Sequence, residues 1–302
     1  MEVVVFGAGS LGSLIGGMLA SDHDVTLVGR DPHVSVVRQE GLRLTGAFDR
    51  TVYPAAATDP PDRATLAIVT VKSFNTRAAA TALQAVDLDV ILSLQNGMGN
   101  EEVLGSTLDC PVLAGTCTYG ARLREPGVVE CTGIGDLALG PSEGGISPLA
   151  ADVGDAFEES EIPVTVASDM PHRLWEKLAV NTGINAVTAL ARMPNGALFD
   201  GPAESLAVEA ARETARVARN RGVDLGDTDA VERTRAVADA TAANTSSMHQ
   251  DVLAGKRTEI DAINGYVLAQ ATEPVPVNET LTQLIHAWEA SRGLRPADAS
   301  VN

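Results

Sequence analysis

The chain has 302 residues, 45% of them apolar, with 40 acidic against 22 basic side chains and a net charge of −18. That length suits two domains, each with enough apolar material for a core. So acidic a chain excludes most nucleic-acid partners, whose phosphates require a basic face, and no apolar run approaches the ~18 residues of a membrane span.

The first half alternates strand-like and helix-like runs. EVVVF (Glu2 to Phe6) is a short apolar strand that ends in glycine, and Ser10 to Ser21 reads as a helix. DVTLV (Asp24 to Val28) is the next strand. LAIVTV (Leu66 to Val71) and VILSL (Val90 to Leu94) are apolar enough for strands buried on both faces, with a helix at Thr76 to Val86 between them. VLAGTCTY (Val112 to Tyr119) is a further strand, and PGVVECTGIGDLALG suggests a hairpin. Such alternation predicts an α/β fold, a doubly wound, mostly parallel sheet of the Rossmann type.

The pattern changes near Ala167 to Pro171. Beyond it, helical runs are expected at Pro171 to Leu190, Pro202 to Arg221, Asp227 to Ala243, Ser246 to Ala254, Thr258 to Ala271 and Glu279 to Ser291. Turn signals PNG (194–196) and PVPVN (274–278) separate some of them. The expected organisation is a dinucleotide-binding domain over 1–168 and an all-helical domain over 169–302.

GAGSLG supplies Gly7, Ala8, Gly9, Ser10, Leu11 and Gly12 directly between the first strand and the first helix. Gly7 permits the tight turn, Gly9 a close approach of backbone to a pyrophosphate, and Gly12 close packing of helix on strand. The helix N-terminus adds N–H donors and positive potential. The alternative is a glycine-rich turn with no ligand. At the end of the second strand, VGRD places Arg30 where an arginine suits the 2′-phosphate of NADP. The adjacent Asp31 keeps NADH open as the alternative cofactor. Lys72 and Asn96 (of LQNGMG) each follow a predicted parallel strand, at the end that faces the ligand crevice. For QNG a plain turn is the competing reading.

WEKLAVNTGINAVTAL (Trp175 to Leu190) poses a different question. On a helical wheel Lys177, Thr188, Asn181 and Asn185 fall within about 80° of one another, on a helix otherwise apolar over most of its circumference. Asn is a poor helix former, so two of them in line with a lysine suggest a lined cavity rather than a water-facing stripe. Only Lys72, Lys177 and Lys256 are lysines among the 22 basic residues, which draws attention to each.

Taken together, GAGSLG, VTVKSFN, LQNGMGN, GTCTYGA, WEKLAVNTGINAVTAL, MPNG, NTSSMHQD and RTEIDAINGYVL occur in an order and spacing that resembles the ketopantoate reductase family, over roughly residues 1 to 290. The resemblance implies a Rossmann domain, a helical domain, an active site in the cleft between them, and NADPH-dependent reduction of 2-dehydropantoate to (R)-pantoate. It implies Lys177 as proton donor. It implies Asn181, Asn185, Asn195, Asn244, Ser246 and Ser247 as substrate contacts, and Lys72, Asn96, Ala121 and Glu259 in the cofactor site, with Asn96 also approaching substrate. Thr245 and His249 depart from the family pattern in detail. The chemistry fits independently: hydride addition to a 2-keto acid develops an alkoxide, which needs a positioned acid. Two residues keep simpler readings alongside, Glu259 as a first-turn acid near a helix N-terminus and Ser246 with Ser247 as a helix cap.

A related dehydrogenase for another 2-keto or 3-hydroxy acid, or an NADP-binding sensor without catalysis, is the competing function. The expected partner is a small-molecule acid, with no nucleic acid, no membrane and no metal; a homodimer is compatible with the sequence. Cys110, Cys117 and Cys131 fit neither a disulfide framework nor a zinc knuckle, and VVVF begins at residue 3 where a leader would stand, so a reducing cytoplasm is expected. The acidic, lysine-poor composition resembles that of proteins from salt-accumulating microbes.

Overall fold

A computed structural model describes residues 1–295. The chain runs β1 (Glu2–Phe6), α1 (Ser10–Leu19), β2 (Asp24–Val28), α2 (His33–Glu40), β3 (Leu42–Gly46), β4 (Arg50–Val52), β5 (Ala55–Ala57), β6 (Arg63–Val69), α3 (Thr76–Leu83), β7 (Asp87–Ser93), α4 (Asn100–Gly105), β8 (Val112–Cys117), β9 (Gly120–Glu125), β10 (Val128–Gly133), β11 (Leu137–Pro141), α5 (Pro148–Glu159) and β12 (Val164–Val166). Helices follow: α6 (Met170–Ala191), α7 (Ala203–Asn220), α8 (Asp227–Ala240), α9 (Ser247–Leu253), α10 (Asn264–Gln270) and α11 (Pro276–Ser291). The chain forms two compact units, Met1–Gln95 with Asn100–Pro171, and Asn96–Gly99 with His172 onward.

In the first unit an eight-stranded sheet has the order β12-β11-β8-β7-β6-β1-β2-β5. Strands β8, β7, β6, β1, β2 and the edge strand β5 are parallel, and β11 runs antiparallel to β8. Val4, Val5, Ala67, Ile68, Ile91 and Leu92 are fully buried there, as expected for strands covered on both faces. This is the doubly wound α/β fold.

Two differences from the expected elements concern pairing. The hairpin is β9 with β10, whereas β11 leaves to join the main sheet. VVECTG and LALGP are therefore not partners. A second sheet, β4-β3-β10-β9, is absent from the expected elements, and so are α2, α4 and α5. It forms because β10 adds in parallel to β3, a pairing across more than 80 residues that local periodicity does not encode.

The second unit is helical. Its core is built from α6, α7, α8, α10 and α11 around Leu178, Ile184, Ala207, Ala210, Ala230, Val267 and Ile285. Gly183 permits the close approach: a Cβ there would stand 2.8 Å from Thr234 Cγ2 and 3.0 Å from the Ala207 carbonyl. The helix expected over Thr258 to Ala271 is broken. A 3-10 turn occupies Ile260–Ala262, Ile263 adopts φ −109° and ψ −97°, and α10 starts at Asn264. The turn expected at 274–278 is cut short because Pro276 opens α11 at its first helical position, where a missing N–H costs nothing.

Candidate functional site

In the first unit the parallel register brings the C-terminal ends of four strands level: Phe6 pairs with Val28 and with Val69, and Val69 pairs with Ser93. The glycine loop, Arg30 and Lys72 follow three of those ends. Gly7 has φ +120°, and a Cβ on it would lie 2.7 Å from Val71 N; a Cβ on Gly12 would lie 2.2 Å from the Gly7 carbonyl. Both positions therefore demand glycine. Helix α1 starts at Ser10 with no side-chain cap and no acid in its first turn. Its leading N–H groups and positive end are the donors a pyrophosphate requires, so the loop fits a dinucleotide.

Neighbouring groups fix this loop. Thr70 Oγ donates to the Gly7 carbonyl at 2.8 Å. The Leu123 N–H donates to Ser10 Oγ at 3.0 Å, which seats strand β9, the carrier of Ala121, against the start of α1. Ala121 and Leu11 are both half-buried against the same core. Arg30 is exposed, and the Asp31 carboxylate beside it accepts the Ser35 hydroxyl one turn into α2. Lys72 is half-buried just before the short turn Ser73–Asn75. Gln95 Nε2 donates to the Val71 carbonyl at 3.0 Å and to Thr76 Oγ at 2.7 Å. Thr76 Oγ lies 2.9 Å from Asn100 Oδ1, so a buried amide–hydroxyl–amide chain braces the Lys72 segment. Thr70, Thr76, Gln95 and Asn100 are not singled out by the sequence reading. The one signal available is that Thr70 and Gln95 are polar residues just past the ends of apolar strands, and Thr76 and Asn100 open the helices that follow.

In the second unit the stripe of α6 is not a solvent face. From Leu178 to Ala189 only Asn181 is more than slightly accessible; Lys177 and Asn181 are half-buried and Asn185 is 5% exposed. An asparagine mid-helix and out of water requires polar company. Thr188, also on the stripe, supplies a link: its Oγ is 2.8 Å from Ser246 Oγ. Ser246 also caps α9, accepting the His249 N–H at 3.2 Å, as the capping alternative anticipated. Ser247 is then the first residue of α9, half-buried.

The PNG turn joins the same segment. Asn195 N donates to the Asn244 carbonyl at 3.0 Å and Asn195 Nδ2 to Thr241 Oγ at 2.9 Å. Asn195 is buried, whereas Asn244 is exposed. The structure thus joins Thr188 of the stripe to Ser246, and Asn195 to Asn244 through backbone.

Asn96 belongs to a segment, Asn96–Gly99, whose Met98 N donates to the Ala262 carbonyl at 2.9 Å. Gly97, at φ +79°, meets the same carbonyl so closely that a Cβ would lie 2.5 Å from it. Glu259 is 5% exposed and stands just ahead of that 3-10 turn. It does not sit in the first turn of a long helix, because the helix is broken there. Its flanks are held from α11: Glu289 Oε1 accepts the Thr258 N–H at 2.7 Å and its hydroxyl at 2.8 Å. Asp261 accepts from Arg257, His286 and Arg295. Burial opposes ionisation of Asp261, but the bonds and charges of Arg295 and His286 outweigh it and hold the carboxyl below its usual range. Among the described residues no cluster of His, Cys, Asp and Glu is placed to hold a metal ion.

The sequence matches two family profiles: that of ketopantoate reductase PanE/ApbA over residues 3–144, and its C-terminal counterpart over 169–289. A 2-dehydropantoate 2-reductase from Halobacterium salinarum is 43% identical over 94% of this chain and 98% of its own. The chain belongs to the ketopantoate reductase family. The crystal structure of a family member from Ralstonia eutropha, 34% identical, superposes with a TM-score of 0.90 over 97% of this chain and 100% of that one. A D-mandelate dehydrogenase with NADH and anilino(oxo)acetate gives the same TM-score of 0.90 at 24% identity over 98% of this chain and all of its own, a likeness of fold. The family assignment makes the protein a nicotinamide-dinucleotide-dependent reductase.

Proposed function

We propose that the protein is a 2-dehydropantoate 2-reductase that forms (R)-pantoate with NADPH, a step of pantothenate and coenzyme A biosynthesis. The observation that carries the reading is the polar stripe of Lys177, Asn181 and Asn185 on α6, half-buried at its first two positions and buried at the third, in a chain 43% identical to a protein of that name. Bound NADPH supplies a hydride to C2 of the keto acid.

The chain's own residues do the rest. Lys177 gives the Nζ proton to the C2 oxygen, and its charge opposes the alkoxide that develops there. Asn181 and Asn185, each about one turn further along, offer both donors and acceptors to the substrate's carboxylate and hydroxyl. Asn195, with Asn244, Ser246 and Ser247, lines the remainder, Ser247 being the hydroxyl that the α9 cap leaves uncommitted to the helix. Asn96 and Glu259 serve substrate and cofactor, and Lys72 and Ala121 the cofactor. In this reading residues 1–168 are the dinucleotide domain and 169–302 the substrate domain.

For the cofactor, NADP is preferred over NADH. Asp31, the residue that would bind a ribose hydroxyl, already accepts from Ser35, and exposed Arg30 suits a 2′-phosphate. No helix among the described residues is long and apolar enough to cross a membrane. The setting proposed is cytoplasmic, with a small-molecule partner; a homodimer is compatible with it.

The test is spectrophotometric loss of NADPH in concentrated KCl with 2-dehydropantoate and with 2-ketoisovalerate, which lacks the hydroxymethyl group. A site built to bond that hydroxyl rejects the shorter acid by up to ~10⁴-fold in kcat/KM. Comparable values would indicate a general 2-keto acid reductase. NADPH binding without turnover of either acid would indicate a sensor.

A further inference from the structure

One buried imidazole in the coenzyme half has no part in the reading above. His33 opens α2 three residues after Arg30 and is 6% exposed. Its Nε2 lies 3.0 Å from Ser13 Oγ, in the first turn of α1. Its Nδ1 accepts the Gly127 N–H at 3.1 Å, at the tip of the β9–β10 hairpin. A backbone N–H only donates, so Nδ1 carries no proton. The neutral ring is then the Nε2–H tautomer, and it donates to Ser13. Three segments meet on this ring: the helix that follows the glycine loop, the hairpin that carries Ala121, and the turn that carries Arg30.

We propose that His33 is a positioning residue for the coenzyme's 2′-phosphate, its neutral ring pinning the Arg30 turn to α1 and to the hairpin and letting go when protonated. The proposal rests on the reading of Arg30 as the 2′-phosphate contact. Arg30, Asp31 and Pro32 are exposed, and the turn's other bonds run only to its neighbours β5 and α2: Gly29 N to Ala57 O at 3.0 Å, Val34 N to Arg30 O at 3.4 Å, Val36 N to Pro32 O at 3.1 Å, and the Ser35 hydroxyl to Asp31. An arginine that swings with its turn retains charge but loses the fixed fork that selects a phosphate.

A second proton on the ring would sit on Nδ1 and face the Gly127 N–H, donor against donor. Burial alone holds the imidazole below its ordinary value, which keeps the accepting form at neutral pH. Helix α1 has no charged residue. The charges on the other surrounding elements are Arg30 and Asp31 in the turn, Arg38 and Glu40 on α2, Arg43 on β3, and Arg122, Arg124, Glu125 and Glu130 on the hairpin. Arg124 pairs with Glu130 and Asp31 accepts from Ser35; among the described residues none of these groups is paired with the ring. Because the folded-state value is depressed, the neutral form's contribution is present above ~6.5 and is lost as pH falls through the folded value.

The test compares wild type with His33→Ala, His33→Asn, Ser13→Ala and Arg30→Ala, in one KCl concentration, by KM for NADPH and NADH, kcat, and Tm. His33→Ala and Ser13→Ala are expected to raise KM for NADPH about 3- to 10-fold, the value of one or two hydrogen bonds, with KM for NADH and kcat within about 2-fold. His33→Asn places Oδ1 where Nδ1 accepts, so it is expected to rescue most of the loss. Its NADPH affinity should also fall less than wild type's as pH is lowered below ~6.5 through the range in which the ring takes its second proton. Both proteins share the titration of the coenzyme's phosphate near ~6, so the difference reports the ring. Equal changes for both coenzymes in the His33 and Ser13 variants, with Arg30→Ala still hitting NADPH selectively, would make His33 a structural residue and overturn the inference alone. Equal changes in Arg30→Ala would overturn the Arg30 reading and this inference together. Should His33→Ala not fold, Ser13→Ala and His33→Asn decide by the same ratio.

Discussion

The hydroxyl of Thr188 lies 2.8 Å from that of Ser246, and the two bonds beside this one settle its direction. Thr188 donates to the Ile184 carbonyl at 2.7 Å, and Ser246 accepts from the His249 N–H at 3.2 Å. Ser246 therefore donates to Thr188, and a single chain of bonds runs from the first turn of α9 into the middle of α6. Ser247 follows Ser246 directly as the first residue of α9. Thr188→Val keeps the shape and removes the acceptor, leaving a buried serine proton unbonded. The expected cost is about 1–3 kcal/mol of stability. KM for the keto acid should rise while kcat changes little, because Lys177 is untouched. An unchanged KM would separate this chain from substrate binding.

Lys177 makes a sharper claim. Lys177→Ala is expected to lower kcat by roughly 10²–10⁴-fold, the usual effect of losing a general acid. Alanine is the better helix former, so circular dichroism and Tm should report an intact α6. A folded variant with near-normal kcat would remove Lys177 from the mechanism and leave the stripe as a structural polar seam.

Much of this arrangement is legible in the sequence, for a physical reason. Parallel strands buried on both faces must be continuous apolar runs, so β1, β2, β6, β7 and β8 announce themselves; the glycine loop is marked by steric demands that only Gly7 and Gly12 meet. The polar line along α6 is visible because 3.6-residue periodicity is a local property. What is not legible is long-range. β10 joins β3 across more than 80 residues, and β4 and β9 (RTV and GARLRE) are too short or too polar to stand out. The break at Ile263 is likewise hidden: TEIDAINGYVL has helical spacing, but Glu289, Arg295 and His286 hold Thr258 and Asp261 in a different geometry. His33 looks in sequence like any surface helix start, and its partners lie 20 and 94 residues away.

Glu213 shows how the second unit holds its helices. It is fully buried on α7 and accepts the N–H of Val277 at 3.0 Å and of Asn278 at 2.9 Å, together with Asn278 Nδ2 at 2.8 Å. A carboxylate at the N-terminus of α11 answers orphan donors and the helix dipole together. Asn278 Oδ1 passes the link to Asn264, whose Nδ2 lies 3.3 Å from the Thr182 carbonyl on α6. Glu213→Ala should therefore cost about 3–5 kcal/mol, since it leaves several buried donors unsatisfied. Glu213→Gln keeps one acceptor and should cost less. Equal melting temperatures for the two variants would show that the number of accepted bonds is not what matters.

The net charge of −18 bears on where all of these measurements should be made. Among the described residues, surface ion pairs such as Arg43 with Asp49 and Arg63 with Glu2 join well-exposed partners. Exposed pairs of this kind contribute about 0–1 kcal/mol each, too little to offset the mutual repulsion of the excess carboxylates. Salt lessens that repulsion: the Debye length falls from ~10 Å at 0.1 M to ~3 Å at 1 M. The chain has only 3% aromatics, so its cores rest mainly on Ala, Val and Leu. Tm is therefore expected to rise steadily from 0.1 M to 2 M KCl. A chloride series at constant pH checks this, and a parallel series in sucrose tests whether the gain comes from charge screening. Sucrose strengthens burial without screening. A Tm that is flat in KCl, or that climbs as much in sucrose, would show that the acidic surface is not what makes stability depend on salt.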